Sequence, residues 1–555
     1  MKINIEKKVD TETVLCYIFD QKLSHFKAQR FKVRKKHNNK ERRGIVMTVK
    51  IVLLVIFFAV MAAVGIYSRR HAMSVDGFVL GGRSVGPWLT AFAYGTSYFS
   101  AVVFVGYAGQ FGWKYGLSST WIGIGNAVIG SLLAWVVLGR RTKVMTQHLN
   151  SRTMPDFFGE RYGSKALKTA ASAIVFIFLV PYTASIYNGL SRLFEMAFHV
   201  PYAWCVVGMA VFTGIYVILG GYMATAINDF IQGIIMLAGI VIVIGAVLSG
   251  QGGFLEAVQK MAQIPSDVPV TLGQPGAFTS FFGPDPVNLL GVVILTSLGT
   301  WGLPQMIGKF YAIKDEKSIN TGTVISTIFA VVVSGGCYFL GGFARLFDDP
   351  AIYDGSGNVI YDSIIPHMLS ALPDLLIGIV VVLVLSASMS TLASLVLTSS
   401  STLTLDFLKE NLCRRMEDRK LIRVMQVLIV FFIAVSVLLA LNPPAFIAQL
   451  MGISWGALAG SFLAPFLYGL YWKRTTKAAV WASFATGVGI TTVNLFVPFI
   501  ESPINAGAAA MLAGLLVVPV VSLVTKKPDP EITDGIFACY EEKVTITKKR
   551  SLEQD

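Results

Sequence analysis

Apolar runs of about twenty residues recur along this chain, each bounded by charge, proline or glycine. Helical spans are predicted at roughly 49–68, 88–110, 118–139, 167–186, 202–220, 230–249, 287–307, 320–344, 374–402, 421–441, 445–470, 477–497 and 505–524. Each is long enough to cross a hydrocarbon core of about 30 Å. Two of them are interrupted. The run at 287–307 contains Gly299, Gly302 and Pro304, and the run at 88–110 contains Gly95, Thr96, Ser97, Ser100 and Gly106. Polar or broken helix at membrane depth is tolerated only where it is buried in protein or lines a wet cavity. The pattern therefore predicts an all-α membrane protein of about thirteen transmembrane helices, with two broken helices facing its interior.

Composition agrees with this pattern. The chain has 555 residues, 54% of them hydrophobic and 14% charged, whereas a soluble domain carries about a quarter of its residues as charges. The formal charge of +14 could point to a nucleic-acid partner, but its distribution argues otherwise. Basic residues crowd alternate loops: Arg69, Arg70 and Arg83; Arg140, Arg141, Lys143, Arg152, Arg161, Lys165 and Lys168; Lys309, Lys314 and Lys317; Lys409, Arg414, Arg415, Arg419, Lys420 and Arg423; Lys473, Arg474 and Lys477. The intervening loops hold only Lys114, Arg192, Lys260 and Arg345. By the positive-inside rule the first group is cytoplasmic, which puts the N-terminus outside and the C-terminus inside a bacterial-type inner (plasma) membrane. The five cysteines (Cys16, Cys205, Cys337, Cys413, Cys539) lie far apart, which argues against a disulfide framework or a zinc site. The spans contain almost no histidine or carboxylate clusters, so a membrane enzyme is not expected.

Residues 1–46 break the charge pattern, being strongly basic where the topology places them outside, and they lack a signal-peptide core. Near their end is Glu41-Arg42-Arg43-Gly44, with Arg43 four codons before Met47, and Arg-Arg-Gly can be the translation of a purine-rich ribosome-binding sequence. The expectation is that Met47 is the true start. The remaining divisions are a transmembrane domain over 47–524 and a cytoplasmic tail over 525–555.

Five separated motifs occur in order: Gly81-Gly82-Arg83; Gly220-Gly221-Tyr222-Met223-Ala224 followed by Asn228-Asp229-Phe230-Ile231-Gln232; Gly302-Leu303-Pro304-Gln305; Ser388-Met389-Ser390-Thr391-Leu392-Ala393-Ser394 closing on Asp406; and Ala464-Pro465 through Gly469-Leu470-Tyr471-Trp472-Lys473-Arg474. Together they make the chain resemble the sodium:solute symporter family. The resemblance implies a leucine-transporter-like fold of two inverted five-helix repeats, here about 88–249 and 287–470, with the two interrupted helices opening each half. Paired broken helices of this kind are where a midplane binding site is expected.

The implied activity is uptake of a small organic solute coupled to sodium by alternating access. Sodium is the coupling ion, no cofactor is expected, and the protein is expected to work in the lipid bilayer as a monomer. A hard cation prefers oxygen ligands. Matching the family motif places the Thr96 and Phe99 carbonyls opposite the Ala387 carbonyl and the Ser390 and Thr391 hydroxyls. Ala387, Ser390, Thr391 and Ser394 share one helical face by spacing alone. Asp229 resembles an acid tied to sodium passage, with Ser394 beside that pathway. Family members thought to hold a second ion use a hydroxyl where this chain has Ala393, so one sodium per cycle is expected. For the solute, Val103, Tyr107, Thr296, Thr300 and Pro304 are the candidate lining. The family's sugar transporters carry an acidic-amide pair at positions that read Ala101 to Phe104 here, and its proline transporters carry Trp and Tyr at Thr296 and Thr300. A small, partly apolar acid or amino acid therefore fits better than either. The alternative from another class is a membrane receptor built on a transporter scaffold, which would normally append a signalling domain; about thirty residues follow the last span. Intact-mass measurement on natively expressed protein is expected to give a chain starting at Met47, and a chain starting at Met1 would overturn that start.

Overall fold

The computed structural model describes residues 47–48, 50–198, 200–412, 416–443 and 446–541. Residues 1–46 with Cys16, the single positions His199 and Cys413, the loop residues Arg414 and Arg415, and the tail from residue 542 lie outside the described residues. The expected extension and the end of the tail fall there. The buried apolar core described below lies within the compact unit that begins at Phe57.

Among the described residues, eleven helical stretches are long and apolar enough to cross a membrane, and strand pairing is confined to two isolated bridges. In chain order the main helices are α1 (Lys50–His71), α2 (Pro87–Tyr98), α3 (Val102–His148), α4 (Met154–Tyr162), α5 (Lys165–Phe198), α6 (Tyr202–Gly250), α7 (Pro286–Gly299), α8 (Pro304–Ala312), α9 (Glu316–Gly341), α10 (Tyr361–Ser370), α11 (Leu375–Asn411), α12 (Asp418–Leu441), α13 (Ile447–Tyr471), α14 (Lys477–Phe496) and α15 (Pro503–Val524). Several begin with a local start signal. Thr153 accepts from the Asp156 amide at α4, Asp315 from Ser318 at α9, and Thr476 from Ala479 at α14. Each satisfies an amide that the first turn leaves without a partner. Pro87, Pro286, Pro304 and Pro503 occupy first-turn positions, where a missing N–H costs nothing.

Both expected interruptions are present. α2 ends at Tyr98, and Phe99 takes extended backbone angles before helix resumes at Val102. α7 ends at Gly299 and α8 starts at Pro304. The two longest stretches, α3 with 47 residues and α6 with 49, each contain a glycine outside helical angles. Gly116 has φ 61° and ψ −141°, and Gly221 has φ 53° and ψ −147°. A side chain is poorly tolerated at such angles. At Gly221 an added Cβ would also lie 2.8 Å from the Phe78 carbonyl.

Burial separates a centre from a periphery. In α13 and α11, 89% and 78% of the most apolar window is buried, against 33% in α12. The outward positions of α12, among them Val427, Val430, Phe431 and Leu438, are apolar and exposed, as a lipid-facing surface requires. Close backbone approach tightens the interior: a Cβ on Gly112 of α3 would sit 1.9 Å from the Gly341 carbonyl of α9. Small residues that let helices meet in this way are the usual packing device within membranes.

The structure corrects two sequence expectations. The hydropathy pattern puts Asp229 at the start of a span, but the helix after the Gly221 bend is already regular at Tyr222, so Asp229 lies well inside it and is fully buried. The charge pattern groups Lys309 with the cytoplasmic loops; it lies within α8 with 3% of its surface exposed.

Gly221→Ala is expected to destabilise the protein by about 1–3 kcal/mol, the cost of forcing a side chain into a backbone region reserved for glycine. A thermal melt in detergent checks this; a variant as stable as the parent would show that the bend is not constrained.

Candidate functional site

The break in α2 and the middle of α11 meet in the interior. The Thr96 carbonyl falls in the last turn of α2, where a helix leaves its carbonyls without intrahelical partners. Across from it, Ser390 Oγ lies 3.1 Å from the Thr96 oxygen, and Thr391 Oγ1 lies 3.0 Å from the same atom. Ser390 Oγ is also 3.1 Å from the carbonyls of both Ser386 and Ala387, and Thr391 Oγ1 is 3.1 Å from that of Ala387. Each hydroxyl has one proton to give, yet together they face three carbonyl oxygens across five short contacts. The cluster is rich in lone pairs and poor in protons, and all of its residues are buried. Of the five expected sodium ligands, the structure thus brings Thr96, Ala387, Ser390 and Thr391 together. Phe99 follows at the helix break and its ring packs on Tyr98 and Phe329.

One helical turn further along α11, Ser394 Oγ is 2.7 Å from Ser97 Oγ and accepts from Lys309 Nζ at 3.0 Å. The same ammonium is 3.7 Å from Asp229 Oδ2 and lies over the Tyr222 ring, 5.1 Å from its centroid. The family motifs single out Asp229 and Ser394 but miss Lys309. The only local signal for it is its place five residues after the Pro304 restart, as the one charged residue of that helix.

A narrow cavity of about 40 Å3 runs from this point, lined by Lys309, Ser394, Gln305, Thr398, Ser401 and Thr402 and reaching Thr153 and Arg152. That volume holds a few water molecules. Pro304, one of the expected solute residues, lines this cavity. A cluster of charges adjoins its Thr153 side. Lys168 Nζ is 2.7 Å from Asp156, 3.6 Å from Glu410 and 3.8 Å from Asp406, and Asp406 also accepts from Thr153 Oγ1. Arg152 pairs with Asp76 nearby. These contacts tie α4, α5 and α11 together.

Of the remaining expected solute residues, Val103 and Tyr107 are buried in the π-helical stretch that follows the α2 break. The Tyr107 hydroxyl has no hydrogen-bond partner. Thr296 and Thr300 are also buried, but their hydroxyls are engaged: Thr296 with the Val292 carbonyl at 2.9 Å, and Thr300 with Gly130 at 3.1 Å and Ser297 at 3.0 Å. The Gly130 carbonyl accepts from Tyr94 as well, and Ile129 accepts from the Trp301 indole. Both carbonyls sit in the π-helical part of α3, whose altered register exposes acceptors, and they pin the α7–α8 break. An aromatic wall absent from the sequence reading completes the centre: the Trp455 ring lies 5.5 Å from Tyr98 and 5.8 Å from Tyr182.

The model of the sodium:solute symporter family matches residues 78–487. The chain belongs to that family. This symporter is similar to the osmoregulated proline transporter OpuE of Bacillus subtilis (strain 168), with 27% identity over 499 residues, 87% of this chain and 96% of the relative. It is also similar to the sodium/proline symporter of Staphylococcus aureus (strain NCTC 8325 / PS 47), with 28% identity over 502 residues, 86% and 93% of the two chains. Its fold is that of a Na+-coupled sialic acid symporter solved in a substrate-bound outward-open state, with a TM-score of 0.69 at 13% identity, over 87% of this chain and 99% of that one. The protein is a multi-pass membrane transporter that couples solute movement to sodium, and not an enzyme.

Lys168→Met would leave the carboxylates of Asp156, Asp406 and Glu410 around an apolar side chain. The loss is expected to approach the roughly 3–5 kcal/mol typical of breaking a buried pair, read as a lower melting temperature, with Lys168→Arg close to the parent. A stable Lys168→Met protein would show that the cluster does not hold the inner end together.

Proposed function

We propose that this symporter binds its coupling sodium between the Thr96, Phe99 and Ala387 carbonyls and the Ser390 and Thr391 hydroxyls. The observation that carries the reading is the surplus of acceptors over protons at that point. A sodium ion supplies the missing positive charge to oxygen ligands that are already gathered, and neutral oxygens release it without a fixed charge to overcome. Sodium at Ala387, Ser390 and Thr391 would draw the carbonyl-rich end of α2 against α11, so occupancy of the site and closure of the α2 break favour one another.

The solute then sits beside the breaks of α2 and α7–α8, against Val103, the free Tyr107 hydroxyl and the Tyr98–Trp455–Tyr182 wall. Apolar surface with few polar groups suits a small, partly apolar amino acid or carboxylate. The named proline carriers among the relatives make proline the first compound to try, although Thr296 and Thr300 stand where that specificity would place Trp and Tyr. Topologically, α2 joined to the first part of α3, and α6 divided at Gly221, bring the eleven long stretches to thirteen crossings. That count agrees with two five-helix repeats flanked by α1, α14 and α15, and with an outside N-terminus. A 49-residue helix at about 1.5 Å per residue would be more than twice as long as a bilayer is thick.

Uptake of radiolabelled solutes, proline first, into proteoliposomes with and without a sodium gradient tests the proposal. Ser390→Ala and Thr391→Ala are each expected to raise the sodium concentration for half-maximal uptake by about tenfold, since each deletes one ligand worth on the order of 1.4 kcal/mol. The rank order of solutes should not change. Uptake indifferent to sodium would remove the site altogether.

A further inference from the structure

We infer that the Lys309 ammonium is a tethered cation, held between Asp229 and Ser394 one helical turn from the sodium cage, where it takes the place of a second transported ion. The inference rests on the sodium-coupled reading above and adds a residue that determines how many ions are coupled.

The geometry is that of an occupied cation site. Lys309 Nζ donates to Ser394 Oγ at 3.0 Å, faces Asp229 Oδ2 at 3.7 Å and covers the Tyr222 ring at 5.1 Å. A carboxylate, a hydroxyl and an aromatic face are what a desolvated cation seeks. Lys309 and Asp229 are 3% and 0% exposed. A lone charge at such depth would be strongly unfavourable, so each residue needs the other. The carboxylate oxygens of Asp229 have no hydrogen-bond partner, so the ammonium is what balances their charge. If Lys309 were neutral, an acid with free lone pairs would stand beside Ser394 with nothing to satisfy it, and a mobile sodium would be the natural substitute.

The tethered charge also bears on the cage next door. Ser394 lies three and four residues after Thr391 and Ser390 on one face of α11, and it reaches Ser97, the residue following Thr96, at 2.7 Å. At this spacing two positive charges in a low-dielectric interior repel appreciably. Asp229 is what allows both to be present. Asp229 is therefore the counter-ion of Lys309 and only indirectly a part of the sodium pathway.

The test counts bound ions directly. Equilibrium binding of radioactive sodium to purified protein is expected to give one ion per chain in the parent and in Lys309→Arg, and two in Lys309→Gln. One ion in a folded Lys309→Gln protein, or two in the parent, would overturn the inference. A double-mutant cycle gives an independent reading should Lys309→Gln prove unstable. Asp229→Asn alone leaves the ammonium uncompensated and should weaken sodium binding at least tenfold, whereas Asp229→Asn with Lys309→Gln should bring it back to within about threefold of the parent. Equal sodium affinity in the single and double variants would also overturn the tethered cation. The parent sodium-site reading fails separately: Ser390→Ala and Thr391→Ala would then leave sodium binding unchanged, whatever Lys309 does.

Discussion

A helix broken inside a bilayer frees carbonyl oxygens that lipid cannot satisfy, and the arrangement of this protein depends on where those oxygens are placed. The last turn of α2 turns the Thr96 carbonyl toward α11, and the α11 hydroxyls meet it with fewer protons than there are acceptors. The break in α7–α8 is handled differently. Its Thr300 hydroxyl and Trp301 indole donate to carbonyls that the π-helical register of α3 leaves free. One break is thus left short of positive charge and suited to an ion, while the other is stitched to its neighbour.

Holding these breaks at fixed positions requires a tight surround. α11 and α13 are the most buried of the long helices, and they carry the polar face and the Trp455 wall respectively. Around them, helices touch backbone to backbone, as where Gly112 meets Gly341. Packing of that closeness leaves no lipid near the broken segments and resists small displacements of the ligating oxygens, because a dense interior moves by discrete repacking and not by gradual deformation.

Two groups of buried charge lie near the narrow cavity. Asp229 and Lys309 pair close to the Ser390 and Thr391 hydroxyls, and Lys168 gathers Asp156, Asp406 and Glu410, joined to the cavity lining through Thr153. The lining mixes hydroxyls and an amide, from Ser394 and Gln305 to Thr398, Ser401 and Thr402, with Leu80, Met154 and Leu397.

The sequence by itself determined the membrane class, the two broken helices and the polar face of α11, because each is written in residues close together: runs of apolar side chains, glycine and proline at the interruptions, and Ala387, Ser390, Thr391 and Ser394 at helical spacing. The family motifs brought Thr96 to the opposite side of the cage. Lys309 could not be read this way. A lysine next to a span reads as a cytoplasmic anchor, and only the arrival of Asp229 from α6 makes its burial tolerable. The same holds for the second partner of the Thr300 hydroxyl, the Gly130 carbonyl that the π-helical segment of α3 supplies, and for the bend at Gly221, which puts Asp229 deep inside a helix. Local periodicity fixes which face of a helix is polar. Which distant charge or carbonyl that face meets is decided by packing between helices far apart in the chain, and that is visible only in the tertiary structure.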